Sequence, residues 1–196
     1  MVIFNWIYGY KNISSKDFFN NKENNYLIKI VSPKIKIDRF YDSTHEEEIV
    51  ENLIELSDPQ ANIPTIFIWP EGIFTSTYLK DLKIHKKLFQ KNFSDKHLII
   101  LGINEIVYED EEFSVYNTLS ILNRNLDVQE TYFKNNLVPF GEFLPLESLL
   151  TKIGLKTISI GYQSFSKGKV RKPININNEY FDLSFLPLIC YEIIYS

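Results

Sequence analysis

Apolar residues along this chain keep two different rhythms. In three places they run almost without interruption: YLIKIVS from Tyr26 to Ser32, TIFIWP from Thr65 to Pro70, and HLIILGI from His97 to Ile103. Short runs of this kind predict strands, and the second and third are apolar enough to be buried on both faces. Between the first two, EEEIVENLIELS from Glu46 sets Ile49, Val50, Leu53 and Ile54 on one face at helical spacing. Acids fill the first turn, where a helix start favours them. A second amphipathic helix is predicted from Ser76 to Phe93, with Tyr78, Leu82, Leu88 and Phe89 among its apolar residues.

The rhythm then changes. FSVYNTLSILN and VQETYFKN read as paired strands around a polar turn at Asn123 to Asn125. LESLLTKIG reads as a short helix ended by Gly154, and residues 158–182 alternate weakly, as hairpins do. The last predicted strand, LSFLPLI, runs straight into Cys190. Strands and helices alternate early and strands follow one another later, which makes a mixed α/β layered fold. Residues 11–24 are polar and rich in Asn, Ser and Lys, the composition of a linker.

Composition narrows the classes of function. The 196 residues are 44% hydrophobic and 23% charged, enough for a real core. A net charge of −4 with scattered Lys and Arg offers no nucleic-acid footprint. One cysteine excludes an internal disulfide and a thiolate metal cluster. His45, His85 and His97 form no ligand-spaced pair and read as surface or helix-flank residues. No segment approaches the roughly 20 apolar residues that span a bilayer. Trp6, Tyr8 and Tyr10, followed by Lys11, suit either the interfacial end of a membrane helix or a loose N-terminal tail.

Three motifs carry candidate chemistry. In IWPEG, Glu71 stands just past a buried strand, in a turn made by Pro70 and Gly72. Sites in α/β sheets collect at the carboxyl ends of strands, and a shielded carboxylate there suits a general base. In YFKNNLVPFGEF, Lys134 follows strand-like residues and Glu142 lies in a tight turn. A fixed ammonium stabilises an oxyanion, and a neighbouring carboxylate holds it charged and aimed. In LPLICYE, the only cysteine, Cys190, ends an apolar strand before a short helical stretch. Such an elbow presents a thiol to a cleft, and the backbone N–H of Tyr191 is placed as an oxyanion donor. Taken singly, these residues also read as a solvated turn glutamate, a surface lysine and a buried structural cysteine. Together they favour a site.

The order Glu, Lys, Cys, each at a strand end, resembles the nitrilase (carbon–nitrogen hydrolase) superfamily. Within it, LVPFGEFLPL, IWPEG and the CYE after LPLI look like the apolipoprotein N-acyltransferase family. WIYGY resembles that family's junction between its last membrane helix and its catalytic domain. The likeness runs from about Tyr26 to the end. It implies an αββα sandwich incomplete at its C-terminus, with residues 1–24 a juxtamembrane-like tail and linker and 25–196 the truncated hydrolase-type domain. It implies Glu71 as general base, Lys134 as oxyanion stabiliser and Cys190 as nucleophile, with Glu142, Tyr191 and Glu192 in support. Tyr41 stands where the family commonly has Trp, near the substrate entrance.

The implied partners are a phospholipid acyl donor, an apolipoprotein acceptor and, through membrane helices outside this chain, the bacterial inner membrane, with the domain facing the periplasm. No metal or organic cofactor is implied. Two rivals remain: a soluble amidase of the same superfamily, and an inactive fragment serving only as an interaction module.

Overall fold

The computed structural model describes residues 25–34, 46–74, 77–109, 112–145 and 164–195. The N-terminal tail and linker, Tyr41, His45, and the helix expected at 146–154 lie outside them. Five strands form one sheet in the order β1 (Leu27–Ile30), β2 (Thr65–Ile68), β3 (His97–Glu109), β4 (Glu112–Leu122) and β5 (Val128–Phe133). The first three pair in parallel, as strands joined through helices do, and the last two join antiparallel. The joining helices are α1 (Glu46–Ser57) and α2 (Lys86–Asn92). A separate antiparallel hairpin holds β6 (Ile174–Asn177) and β7 (Asp182–Phe185).

Alternation along the central strands builds two cores, one on each face of the sheet. Phe67, Trp69, Ile99 and Leu101 point one way, into Val50, Leu53 and Ile54 of α1 and Leu82, Phe89 and Phe93 around α2. Ile66, Leu98, Ile100 and Ile121 point the other way, into Ile174, Ile176, Phe181 and Ile189. The result is helix, sheet and sheet stacked in order. A strand between two apolar layers favours apolar residues at successive positions, which is why Ile66–Ile68 and LIIL show no polar break. Full burial of side chains such as Phe67, Leu53 and Phe89 contributes about 1.5–3 kcal/mol each.

Several expectations are corrected here. Tyr78 is not helical but bridges Asn104 of β3, and the helical stretch begins as a 3-10 turn at Asp81–His85. The strand expected to run into Cys190 ends at Phe185, and Leu186–Ile189 cross to a 3-10 turn, Cys190–Tyr195. Pro187 has no N–H to give a sheet ladder, so pairing stops before it. His97 is buried rather than superficial, and His85, also buried, flanks a helix as expected, at the N-cap of α2. His97 Nδ1 accepts the Ser94 N–H at 3.0 Å and its Nε2 faces the Gln60 carbonyl at 3.1 Å. That arrangement fits a neutral ring, and burial holds its pKa below the usual histidine value.

One buried polar chain fixes the strand end that leads to the first motif. Trp69 Nε1 donates to Ser57 Oγ at 2.9 Å, and that hydroxyl donates to the Leu53 carbonyl at 2.7 Å. The last turn of α1 is thereby tied to the residue two before Glu71. Among the described residues no helix is long and apolar enough to cross a membrane.

Candidate active site

Glu71 leaves β2 through Trp69, whose N–H is held by the Ile100 carbonyl at 2.8 Å, and a turn at Gly72 with φ 71°. Its backbone lies flat on β3 at Gly102. A β-carbon at position 102 would come within 2.9 Å of Glu71 Cα and 3.0 Å of its Cβ. Only glycine permits that approach. The residue is exposed, contrary to the shielding expected for it. It is held nonetheless, because Asn117 Nδ2 donates to its Oε1 at 2.8 Å.

Lys134 follows β5 and is 1% exposed. Its N–H donates to the Asn117 carbonyl at 2.9 Å, which extends the β4–β5 ladder by one residue. A buried ammonium needs a partner, and Glu142 supplies it: Lys134 Nζ stands 2.7 Å from Glu142 Oε1. The loop around Glu142 is built to aim that carboxylate. Its Oε2 accepts the Val138 N–H, its own N–H donates to the Val138 carbonyl, and Phe140 turns at φ 64°. This is the Pro-Phe-Gly-Glu turn that the sequence showed.

Glu192 is fully buried and saturated with donors. Its Oε1 accepts from the Tyr132 hydroxyl at 2.7 Å and from the backbone N–H groups of Asn135 and Asn136 at 3.0 and 2.9 Å. Its Oε2 accepts the Ile189 N–H at 3.0 Å. One carboxylate therefore joins the residues just after Lys134 to the residue just before Cys190. Burial, and then the bond to Glu192, pushes the Tyr132 phenol up to about 12. Cys190 is exposed and opens its 3-10 turn at φ 52°, a region that side chains other than glycine rarely adopt. Tyr191 beside it is 59% exposed.

Glu71, Lys134 and Glu142 thus fall into one hydrogen-bonded chain, with Asn117 as the link, and Glu192 ties the Cys190 elbow to the same strand end. A cavity of about 800 Å³ lies along β5, lined by Tyr116, Phe133, Lys167 and Lys172 among others, and none of the three motif residues lines it. Asn117, Gly102 and Tyr132 were not singled out from the sequence. The available signals were an amide and a glycine inside strands, where both are disfavoured without a special contact.

No protein-family model matches the chain. Over most of its length it is related in sequence to proteins named apolipoprotein N-acyltransferase. The protein of that name from Caulobacter vibrioides is 32% identical over 173 residues, which cover 84% of this chain and 32% of the relative. The one from Wigglesworthia glossinidia brevipalpis is 30% identical over 191 residues, 91% of this chain and 35% of the relative. The chain spans about a third of the length of the curated relatives it matches. Among solved structures, NitN amidase from Neterenkonia sp. AN1 superimposes with a TM-score of 0.38 at 11% identity, over 85% of this chain and 56% of that one.

Proposed function

We propose that this chain is the acyl-transferring domain of an apolipoprotein N-acyltransferase, working through a thioester on Cys190. The observation that carries the reading is the relatedness to proteins of that name across 84% of the chain. The contacts among the motif residues support it. In the first half-reaction Glu71 takes the proton of the Cys190 thiol, and the sulfur attacks the ester carbonyl of a phospholipid. Lys134, held by Glu142, faces the oxyanion that forms, and the Tyr191 N–H is its second donor. Collapse breaks the ester C–O bond, and the leaving lysophospholipid alkoxide takes the proton from Glu71. In the second half, the α-amine of the acceptor's lipid-modified N-terminal cysteine attacks the thioester. Its proton passes through Glu71 to the departing thiolate, which leaves an amide and a free thiol.

The donor is a membrane lipid, so the whole protein is proposed to work at the inner membrane with this domain on the periplasmic side. Residues 25–196 are proposed as the domain and 1–24 as its approach from the membrane. Tyr41 is proposed near the lipid entrance. A soluble amidase would instead cleave a C–N bond and pass its acyl group to water, and the named relatives do not favour it.

The test is to incubate the protein with phospholipid micelles and a peptide bearing the lipid-modified cysteine, and to follow Cys190 by intact mass. A single acyl adduct, released by neutral hydroxylamine and passed to the peptide amine, is expected. Cys190→Ser should show no adduct, and Lys134→Ala should form it about 10²–10³ times more slowly. Unchanged transfer in Cys190→Ser, or release to water alone, overturns the reading.

A further inference from the structure

Asn117 touches Glu71, Lys134 and Glu142 alike, and the proposed reaction has not used it. Asn117 lies in β4 and is 6% exposed. Its backbone carbonyl takes the Lys134 N–H, and its side-chain nitrogen lies 2.8 Å from Glu71 Oε1 and 3.2 Å from Glu142 Oε1. Both neighbours are carboxylate oxygens, so the amide must present Nδ2 to them, and an NH₂ group has two hydrogens to give. We infer that Asn117 is a positioning residue for the proposed reaction, fixing the carboxylate of Glu71 and the lysine-binding carboxylate of Glu142 in one arrangement through its two N–H donors. The inference deepens the proposed function and rests on Glu71 acting as the base toward Cys190.

The physical need is plain. Glu71 and Glu142 approach the same amide, and two carboxylates so placed repel unless donors lie between them. Glu142 has Lys134 at 2.7 Å to balance its charge. Glu71 stands at the open side of the chain, exposed, and without Asn117 it loses the bond that selects its rotamer. An amide does this without adding charge, so the ammonium of Lys134 stays available to a developing oxyanion. An aspartate there would bring a third carboxylate and no donor, and one of the three would keep a proton to higher pH.

The chain's single cysteine makes the test clean, because iodoacetamide reports on Cys190 alone. The alkylation rate is measured against pH for the wild type, Asn117→Asp, Asn117→Ser and Glu71→Gln, with a thermal melt of each as a folding control. If Glu71 activates the thiol, Glu71→Gln moves the acid limb of the profile to higher pH. Asn117→Asp is expected to move it the same way by about one pH unit or more. Asn117→Ser, with one hydroxyl donor for two carboxylates, is expected to move it less. A residue that merely filled space would lower stability and leave the limb in place. Should Asn117→Asp lose its cooperative melt, Asn117→Ser decides alone. Asn117 profiles that overlay the wild type while Glu71→Gln shifts overturn the inference and spare the reaction. A Glu71→Gln profile that also overlays the wild type removes Glu71 as the base, and the inference falls with it.

Discussion

The carboxylate of Glu192 accepts the phenolic hydrogen of Tyr132 at 2.7 Å, across 60 positions of sequence. Three backbone N–H groups share the same carboxylate, those of Asn135, Asn136 and Ile189. Glutamine keeps the shape but presents an NH₂ to groups that are themselves donors. Glu192→Gln should therefore cost about 2–3 kcal/mol, the range for losing a buried charged acceptor. Tyr132→Phe removes one donor of four and should cost about 1 kcal/mol. Denaturant unfolding of both variants measures this, and equal, small losses would show that the carboxylate does not hold the elbow.

Gly102 is a second point where stability and site geometry meet. Alanine there would drive the Glu71 backbone away, since its β-carbon would come within 2.9 Å of Glu71 Cα. Overpacking of this kind costs about 1–3 kcal/mol, and with Glu71 as the proposed base, its displacement should slow acyl transfer by up to about 10²-fold. Gly141 provides the control, because a β-carbon there meets nothing closer than 3.5 Å. Gly141→Ala should leave the transfer rate near the wild type. If the two alanine variants behave alike in a transfer assay, the contact at Gly102 is not what places Glu71.

His97 predicts a loss of stability on the acid side. Its pKa lies below the unfolded value of 6.5, with burial as the main cause. Above 6.5 both states are neutral and the residue adds no pH dependence. As pH falls below that value the unfolded chain binds a proton that the folded chain does not, so stability drops until the folded value is passed. His97→Gln should lose part of this acid slope. The measurement is the urea midpoint against pH for both proteins, and parallel curves would remove His97 as a source.

Much of this architecture is visible in the residues themselves. TIFI and LIIL announce central strands because each lies between two apolar layers, and EEEIVENLIELS announces its helix because only one face meets the sheet. Local pattern fails where long-range contact decides. Tyr78 fits a helical face but is drawn onto Asn104 of β3. LSFLPLI is apolar throughout, yet the chain leaves the sheet at Phe185 because Pro187 cannot serve the ladder. Glu71, Lys134 and Glu142 were legible because turn residues surround them. Asn117 sits unmarked inside a strand, and its value comes from partners 46 and 25 positions away.

The backbone of Cys190 predicts an ordering among its own replacements. At φ 52° a β-carbon crowds the neighbouring carbonyl, which costs about 1–2 kcal/mol. Cys190→Gly and Cys190→Ala both delete the exposed thiol proposed as nucleophile, but only glycine relieves the crowding. The glycine variant should be the more stable of the two by about 1 kcal/mol in denaturant unfolding, and the reverse order would show that the turn carries no strain.

That ordering bears on descent as well as on folding. A lineage relieved of the reaction would gain stability by drifting from cysteine to glycine at this one position, while the buried glutamate two residues on would stay under pressure to hold the fold together. If Cys190 carries the proposed thioester, folding and reaction therefore pull in opposite directions at this one position.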